Sequence, residues 1–197
     1  MSSLVQSILS SAQSLPEGGL ISPKEFLHLG TRAAIDQCFS RLAKEGQLLR
    51  LGRGIYTLPV SGRFGTRPPS IEKIMTSIEH LSGEVVVASG AAEANALGLT
   101  TQVPVREVYF TSGPTRRLSL GSRVVELKHG NRQQMIMAKR PAGKAIRALS
   151  WLGPTQGPQA LSALKTRLDS AEWQALIAAR AMFPSWLAKA VSEVSLG

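Results

Sequence analysis

The stretch Thr31-Arg32-Ala33-Ala34-Ile35-Asp36-Gln37-Cys38-Phe39-Ser40-Arg41-Leu42-Ala43-Lys44-Glu45-Gly46, followed by Gln47-Leu48-Leu49-Arg50-Leu51-Gly52-Arg53-Gly54-Ile55-Tyr56-Thr57-Leu58, decides the fold. Thr31 is an N-cap type whose hydroxyl can take a free amide of the first turn, and Gly46 is a helix stop. The spacing predicts a helix over 31–45. At about 100° per residue, Ile35, Cys38, Phe39 and Leu42 fall on one side. Ala33, Gln37, Ser40 and Lys44 fall on the other, flanked by Arg32, Asp36 and Arg41. Residues 47–51 and 55–58 read as two short strands. Gly52-Arg53-Gly54 turns between them, because glycine supplies the positive φ of a tight hairpin.

Upstream, Leu4, Val5, Ile8, Ala12 and Leu15 recur at helical spacing until Pro16-Glu17-Gly18-Gly19 ends the run. Ser22-Pro23-Lys24-Glu25 is a capping box with proline at the first helical position. A short helix through Phe26 and Leu27, ending at Gly30, is expected after it. Helix, helix, tight Gly30-Thr31 turn, helix, hairpin is the order of a winged helix-turn-helix. In that arrangement helix 31–45 enters the major groove of double-stranded DNA. Arg32 and Gln37 can bond base edges, Ala33 permits close approach, and Ser40 adds a hydroxyl. Arg41, Lys44, Arg50 and Arg53 can grip phosphates or the adjacent minor groove, and Arg63 extends the set.

The charge agrees with such a partner. Among 197 residues, 23 Lys and Arg outnumber 13 Asp and Glu, for a net +10. A dominant positive sign on few charges points to a polyanion, nucleic acid before membrane. The excess is spread along the whole chain. With 43% hydrophobic residues there is enough apolar material for a core, which excludes a wholly disordered chain. The lone cysteine, Cys38, rules out an intrachain disulfide and any multi-cysteine metal site, and fits a reducing compartment. No run approaches about 20 apolar residues, and Met1-Ser2-Ser3-Leu4 lacks a signal-peptide pattern. A cytoplasmic location is expected.

Ser61-Gly62-Arg63-Phe64-Gly65-Thr66-Arg67-Pro68-Pro69-Ser70 is rich in residues that end regular structure. It reads as a linker between a winged-helix domain, 1–62, and a second domain, 68–197. The second domain reads as mixed α/β with a helical tail. Helices are expected from Pro69-Ser70 through Leu81 and over 91–97, with strands at 84–88 and 105–111. A hairpin of 117–120 and 123–128 follows, and then helices over 143–151, 158–168, 170–182 and 184–194. The fold class is therefore α+β. Arg116, Arg117, Arg123 and Lys128 on the second hairpin form a possible second DNA patch, or a solvated face that keeps strand edges apart.

Catalytic patterns are lacking. His28, His80 and His129 have no second ligand near them in sequence. Residues 87–91, Val-Ala-Ser-Gly-Ala, do not make a nucleophile elbow, and no phosphate-binding Gly-x-x-x-x-Gly-Lys motif occurs. No enzyme activity, cofactor or metal is expected. Cys38 sits with the apolar side of its helix. Trp151, Trp173 and Trp186 suit the core of the tail, where an exposed one could anchor a partner or a dimer.

The sequence also resembles a known family. Residues 32–46 followed by Leu49-Arg50-Leu51-Gly52-Arg53-Gly54-Ile55-Tyr56 are similar to the winged helix of AbiEi-type antitoxins. Ser89-Gly90-Ala91-Ala92, Asn95-Ala96-Leu97-Gly98-Leu99-Thr100-Thr101-Gln102-Val103-Pro104, and Val108-Tyr109-Phe110-Thr111-Ser112-Gly113-Pro114 with Arg116-Arg117 resemble the segment that follows it. The resemblance covers roughly residues 20 to 130. It implies a bacterial transcriptional repressor that binds inverted repeats in its own promoter, as monomer or homodimer. It also implies an antitoxin that counters a nucleotidyltransferase-like toxin of the same operon, in the best-known members without a stable complex. Two other readings stand beside it: a protein-interaction module that neutralises a toxin by direct binding, and an RNA-binding regulator.

Overall fold

Ser3 opens the first helix by accepting the Gln6 amide on its hydroxyl. Helix α1 (Leu4–Gln13) follows in the computed structural model, which describes residues 3–63 and 65–196. Leu20–Ile21 then forms a two-residue strand, β1. The expected helix after the capping box is a single 3-10 turn, Pro23–Phe26. The box itself is made, with the Ser22 amide donating to Glu25 Oε1 at 2.7 Å. The following backbone bond, Leu29 N–H to Phe26 O at 2.8 Å, again spans three residues, so no α-helical turn propagates to Gly30.

Helix α2 (Arg32–Lys44) starts on Thr31, whose Oγ1 accepts the Ala34 amide at 3.3 Å, and ends on Glu45. Strands β2 (Leu49–Gly52) and β3 (Ile55–Thr57) follow. The three strands make one antiparallel sheet in the order β1-β3-β2. Phe39 of α2 is wholly buried, with ring centroids 5.6 Å from Phe26 and 4.9 Å from Tyr56. Around these rings pack Ile8, Ala12, Ile21, Ile35, Cys38, Leu42 and Leu48.

The stretch expected as a linker is itself paired. β4 (Val60–Gly62) and β5 (Gly65–Arg67) are antiparallel, with Gly62 opposite Gly65. Gly65, at φ 106°, allows the tight return, and Pro68-Pro69 ends the hairpin. Helix α3 (Ile71–Ser82) is capped by Ser70 and stopped by Gly83 in the left-handed region. The loop after α1 is fastened to its start. Glu17 Oε1 accepts from the Ser70 amide and from Arg67 Nη1, each at 3.2 Å, and Lys73 Nζ donates to Glu17 Oε2. The Lys73 ammonium first, then the Ser70 amide, hold the Glu17 carboxyl below the ordinary carboxylate range.

These elements belong to a first unit, Met1–Glu84, which also takes in Arg116–Val125. The boundary expected at 62–68 therefore falls inside this unit. Strand β8 (Arg116–Leu120) lies beside β2, buries Leu118 and Leu120, and pairs with the start of β9 (Arg123–His129).

The second unit is Val85–Thr115 with Glu126–Gly197. Strand β6 (Val86–Ala88) pairs antiparallel with β7 (Glu107–Thr111), and the end of β9 lies on the other side of β7. Helix α4 (Gly90–Ala96) packs on α5 (Pro141–Lys165). The span α5 is two helices that meet at a kink at Gly153, whose φ of 72° and ψ of −174° are not helical, so both helices expected at 143–151 and 158–168 are present, on either side of the kink. Helix α6 (Ser170–Ala178) passes into a 3-10 turn, Ala179–Met182, rather than running on to 182, and α7 (Ser185–Leu196) ends the description. Ile146, Leu149, Leu161, Leu164, Leu176, Leu187 and Val191 are buried in this unit's core. The whole is mixed α+β, with seven α-helices and several small sheets among the described residues.

Candidate nucleic-acid interface

Helix α2 divides its residues cleanly. Ile35, Cys38, Phe39 and Leu42 are buried, and Arg32, Ala33, Gln37, Ser40, Arg41 and Lys44 are exposed. The period that builds the core thus leaves a polar face of amide, hydroxyl and cation on the far side. A groove of about 650 Å³ runs along this face, where Gln37, Ser40, Arg41 and Lys44 meet Ser3, Leu4 and Val5 of α1.

The two acids near this face are engaged on the helix itself. Arg32 Nε donates to Asp36 Oδ2 at 2.8 Å, and Arg41 Nε lies 4.0 Å from Glu45 Oε1. Lys44, Arg53 and Arg63 are exposed and carry no ion pair among the described residues. Their charge is open to an anion, while that of Arg32 is directed by its neighbour.

The hairpin places two more cations. Arg50 stands on β2 opposite Tyr56, with Nε donating to Gly52 O at 3.4 Å, and Arg53 sits at the tip before Gly54, whose φ is 72°. Alternation along β2 turns Leu51 into the core and leaves Arg50 outside, and the register shifts between Arg50 and Gly52. Arg63 lies at the tip of the second hairpin, beyond Gly62.

The basic residues of the later hairpin do not share one face. Arg116 points inward with Leu118 and Leu120, where its Nη2 meets Glu84 Oε2 at 2.8 Å. Arg117 is exposed on the opposite side of β8. On β9 Arg123 belongs to the first unit. Lys128, in the second unit, lies 3.5 Å from Glu126. The later cations Lys139 and Arg140 are also committed. Lys139 Nζ donates to Val86 O at 2.8 Å and Arg140 Nε to Glu172 Oε1 at 2.9 Å.

Residues 7–165 match a family of unknown function, DUF6088. The chain belongs to this family. The matched span covers all of α2, the hairpins β2-β3 and β4-β5, and α4, and stops on Lys165, the last residue of α5. Helices α6 and α7 lie beyond it. No curated protein matches the chain.

Two features of the site escaped the sequence reading. One is the first turn of α1 as a border of the α2 face, for which the N-cap Ser3 was a visible signal. The other is Asp36 as the residue that holds Arg32. Its signal was the four-residue spacing between the two. Elsewhere, Cys38 is buried, Trp173 is buried and Trp186 half-buried, while Trp151 is 44% exposed on α5. Among the described residues no three His, Cys, Asp or Glu side chains converge to hold a metal ion. No described helix is long and apolar enough to cross a membrane.

Proposed function

We propose that the chain is a sequence-specific double-stranded DNA-binding repressor. On this reading it acts as the antitoxin of a bacterial toxin–antitoxin operon and controls its own promoter. The observation that carries the DNA-binding reading is the exposed row Arg32, Gln37, Ser40, Arg41 and Lys44 on α2, followed by a hairpin with Arg50 and Arg53. A sheet in the order β1-β3-β2, with its first strand ahead of the 3-10 turn and α2, supports the finer reading as a winged helix-turn-helix. In that reading α2 enters the major groove. Arg32 and Gln37 meet base edges, and Ala33 leaves room for the approach. Arg41, Lys44 and Arg50 meet phosphates, and Arg53 reaches the backbone or the adjacent minor groove. The antitoxin role rests on the likeness of residues 20–130 to AbiEi-type proteins, and its counterpart is a nucleotidyltransferase-like toxin encoded beside it.

The test is a fluorescence-anisotropy titration with the duplex directly upstream of the gene against a scrambled duplex, at about 150 mM salt because phosphate contacts weaken steeply with salt. A preference of about a hundredfold or more is expected for a specific site. Equal binding of the two duplexes would reduce the chain to a general nucleic-acid binder. Co-expression with the neighbouring gene tests the antitoxin role: growth arrest should be relieved by this chain and not by an unrelated repressor.

A further inference from the structure

The mechanism above uses Asp36 nowhere, yet Asp36 fixes one edge of the residue that opens α2. Arg32 is the first residue of the helix, directly after the N-cap Thr31. A cation there stands at the positive end of the helix dipole, so this position is a poor one for stability. Asp36, one turn on, accepts from Arg32 Nε at 2.8 Å, and the two side chains remain 53% and 47% exposed. The pair therefore faces solvent and contributes little to the fold. What it does contribute is direction. A guanidinium has a side edge that includes Nε and a terminal edge made of Nη1 and Nη2. With Nε given to Asp36, Nη1 and Nη2 are left to bond another acceptor.

We propose that Asp36 is a specificity-determining residue, which holds Arg32 so that Nη1 and Nη2 bond the O6 and N7 of one guanine in the major groove. The inference rests on the DNA-binding reading of α2 and goes beyond it by naming the base and the positioning residue. Two parallel donors match the two guanine acceptors, whereas adenine offers one acceptor and one donor on that edge. The Asp36 carboxylate also repels phosphate, so Arg32 is kept from the backbone contact that an untethered arginine would take.

The probe is the duplex directly upstream of the gene, with each guanine replaced in turn by 7-deazaguanine, which lacks the N7 acceptor. At one position per half-site the native chain should lose about tenfold in affinity, and Arg32→Ala should show no further loss there. Asp36→Ala and Asp36→Asn should remove most of that position's penalty. With the carboxylate gone Arg32 is free to take a phosphate, so binding to scrambled duplex should tighten and the salt slope steepen by about one unit, while the melting temperature stays unchanged. A purely structural Asp36 would move the melting temperature and spare the guanine preference, which overturns the proposal. A 7-deazaguanine penalty equal in native and Arg32→Ala protein overturns it too. So does an Asp36→Ala effect at a base pair other than the one Arg32 reads, since Asp36 would then touch a base itself. If the native chain shows no preference for the upstream duplex over scrambled DNA, the sequence-specific reading of α2 fails first and the inference falls with it.

Discussion

Arg147 and Glu93 form an ion pair sealed inside the second unit. Arg147 Nη2 lies 2.7 Å from Glu93 Oε1, and the side chains are 1% and 7% exposed. The guanidinium also donates to Ala138 O at 3.1 Å and Gln134 O at 3.5 Å, while its Nε is buried without an acceptor. Arg147 thus ties α4, α5 and the turns of 131–140 together. Removing one member leaves the other buried and uncompensated. Glu93→Gln or Arg147→Met should each destabilise by about 3–5 kcal/mol in urea denaturation. The double change Glu93→Leu with Arg147→Met should cost clearly less than the two single losses added together.

The backbone around that pair is equally tight. A β-carbon on Gly143 would sit 2.1 Å from Met137 O, and one on Gly90 2.4 Å from Arg147 O. Neither carbonyl can swing away as a side chain would. Gly143→Ala and Gly90→Ala should each cost about 1–3 kcal/mol or more, read as a fall in melting temperature. Gly46→Ala tests a different cost, since nothing lies within 4 Å of the added atom and the penalty comes from its φ of 73° alone.

Acid should loosen two fastenings. In Glu17 the Lys73 ammonium, and in Glu172 first the Ala142 amide and then Arg140, hold the carboxyl below its ordinary range. A folded-state pKa below the unfolded value gives stability that is full above the unfolded pKa. It is lost as pH falls through the folded one. Melting temperature should therefore drop as the solution is taken below the ordinary glutamate range. Glu17→Gln and Glu172→Gln should be less stable than the native chain at neutral pH and converge with it in acid. Parallel curves for native and variant chains would show that these contacts do not couple to protonation.

The cations on α2 and the hairpin should separate into two classes in DNA titrations. Arg41→Ala, Lys44→Ala, Arg50→Ala and Arg53→Ala should each flatten the slope of log K against log salt by about one unit, with sequence preference kept. Gln37→Ala should leave that slope alone and relax one base position by about 1–3 kcal/mol. A set of variants that all bind like the native chain would assign DNA contact to some other surface.

Much of the first unit was legible because one helix carried several signals at once. Thr31, the spacing of Ile35, Cys38, Phe39 and Leu42, and Gly46 agree on the bounds of α2, and the same spacing defines the face opposite. Leu20–Ile21 was not legible. Two residues have no period, and their register with Tyr56 and Thr57 is a long-range fact. The hairpin of 60–67 reads as a linker in sequence because Ser, Gly and Thr on its strands give no apolar alternation, and most of its described residues are exposed. The later basic cluster reads, from nearness in sequence, as either a second patch or a solvated face. Strand phase, which nearness does not show, turns Arg116 in toward Glu84 and Arg117 out.

Strand β9 begins in one unit and ends in the other, and β8 reaches the first unit only after β6, α4 and β7 of the second have been made. During synthesis the first unit emerges with a vacant place beside β2, and the chain fills it only after Val85–Thr115 of the second unit has been made. A ribosome stalled between Glu84 and Arg116 holds a first unit without β8, and release from the stall, rather than the completion of α3, is the step that closes it.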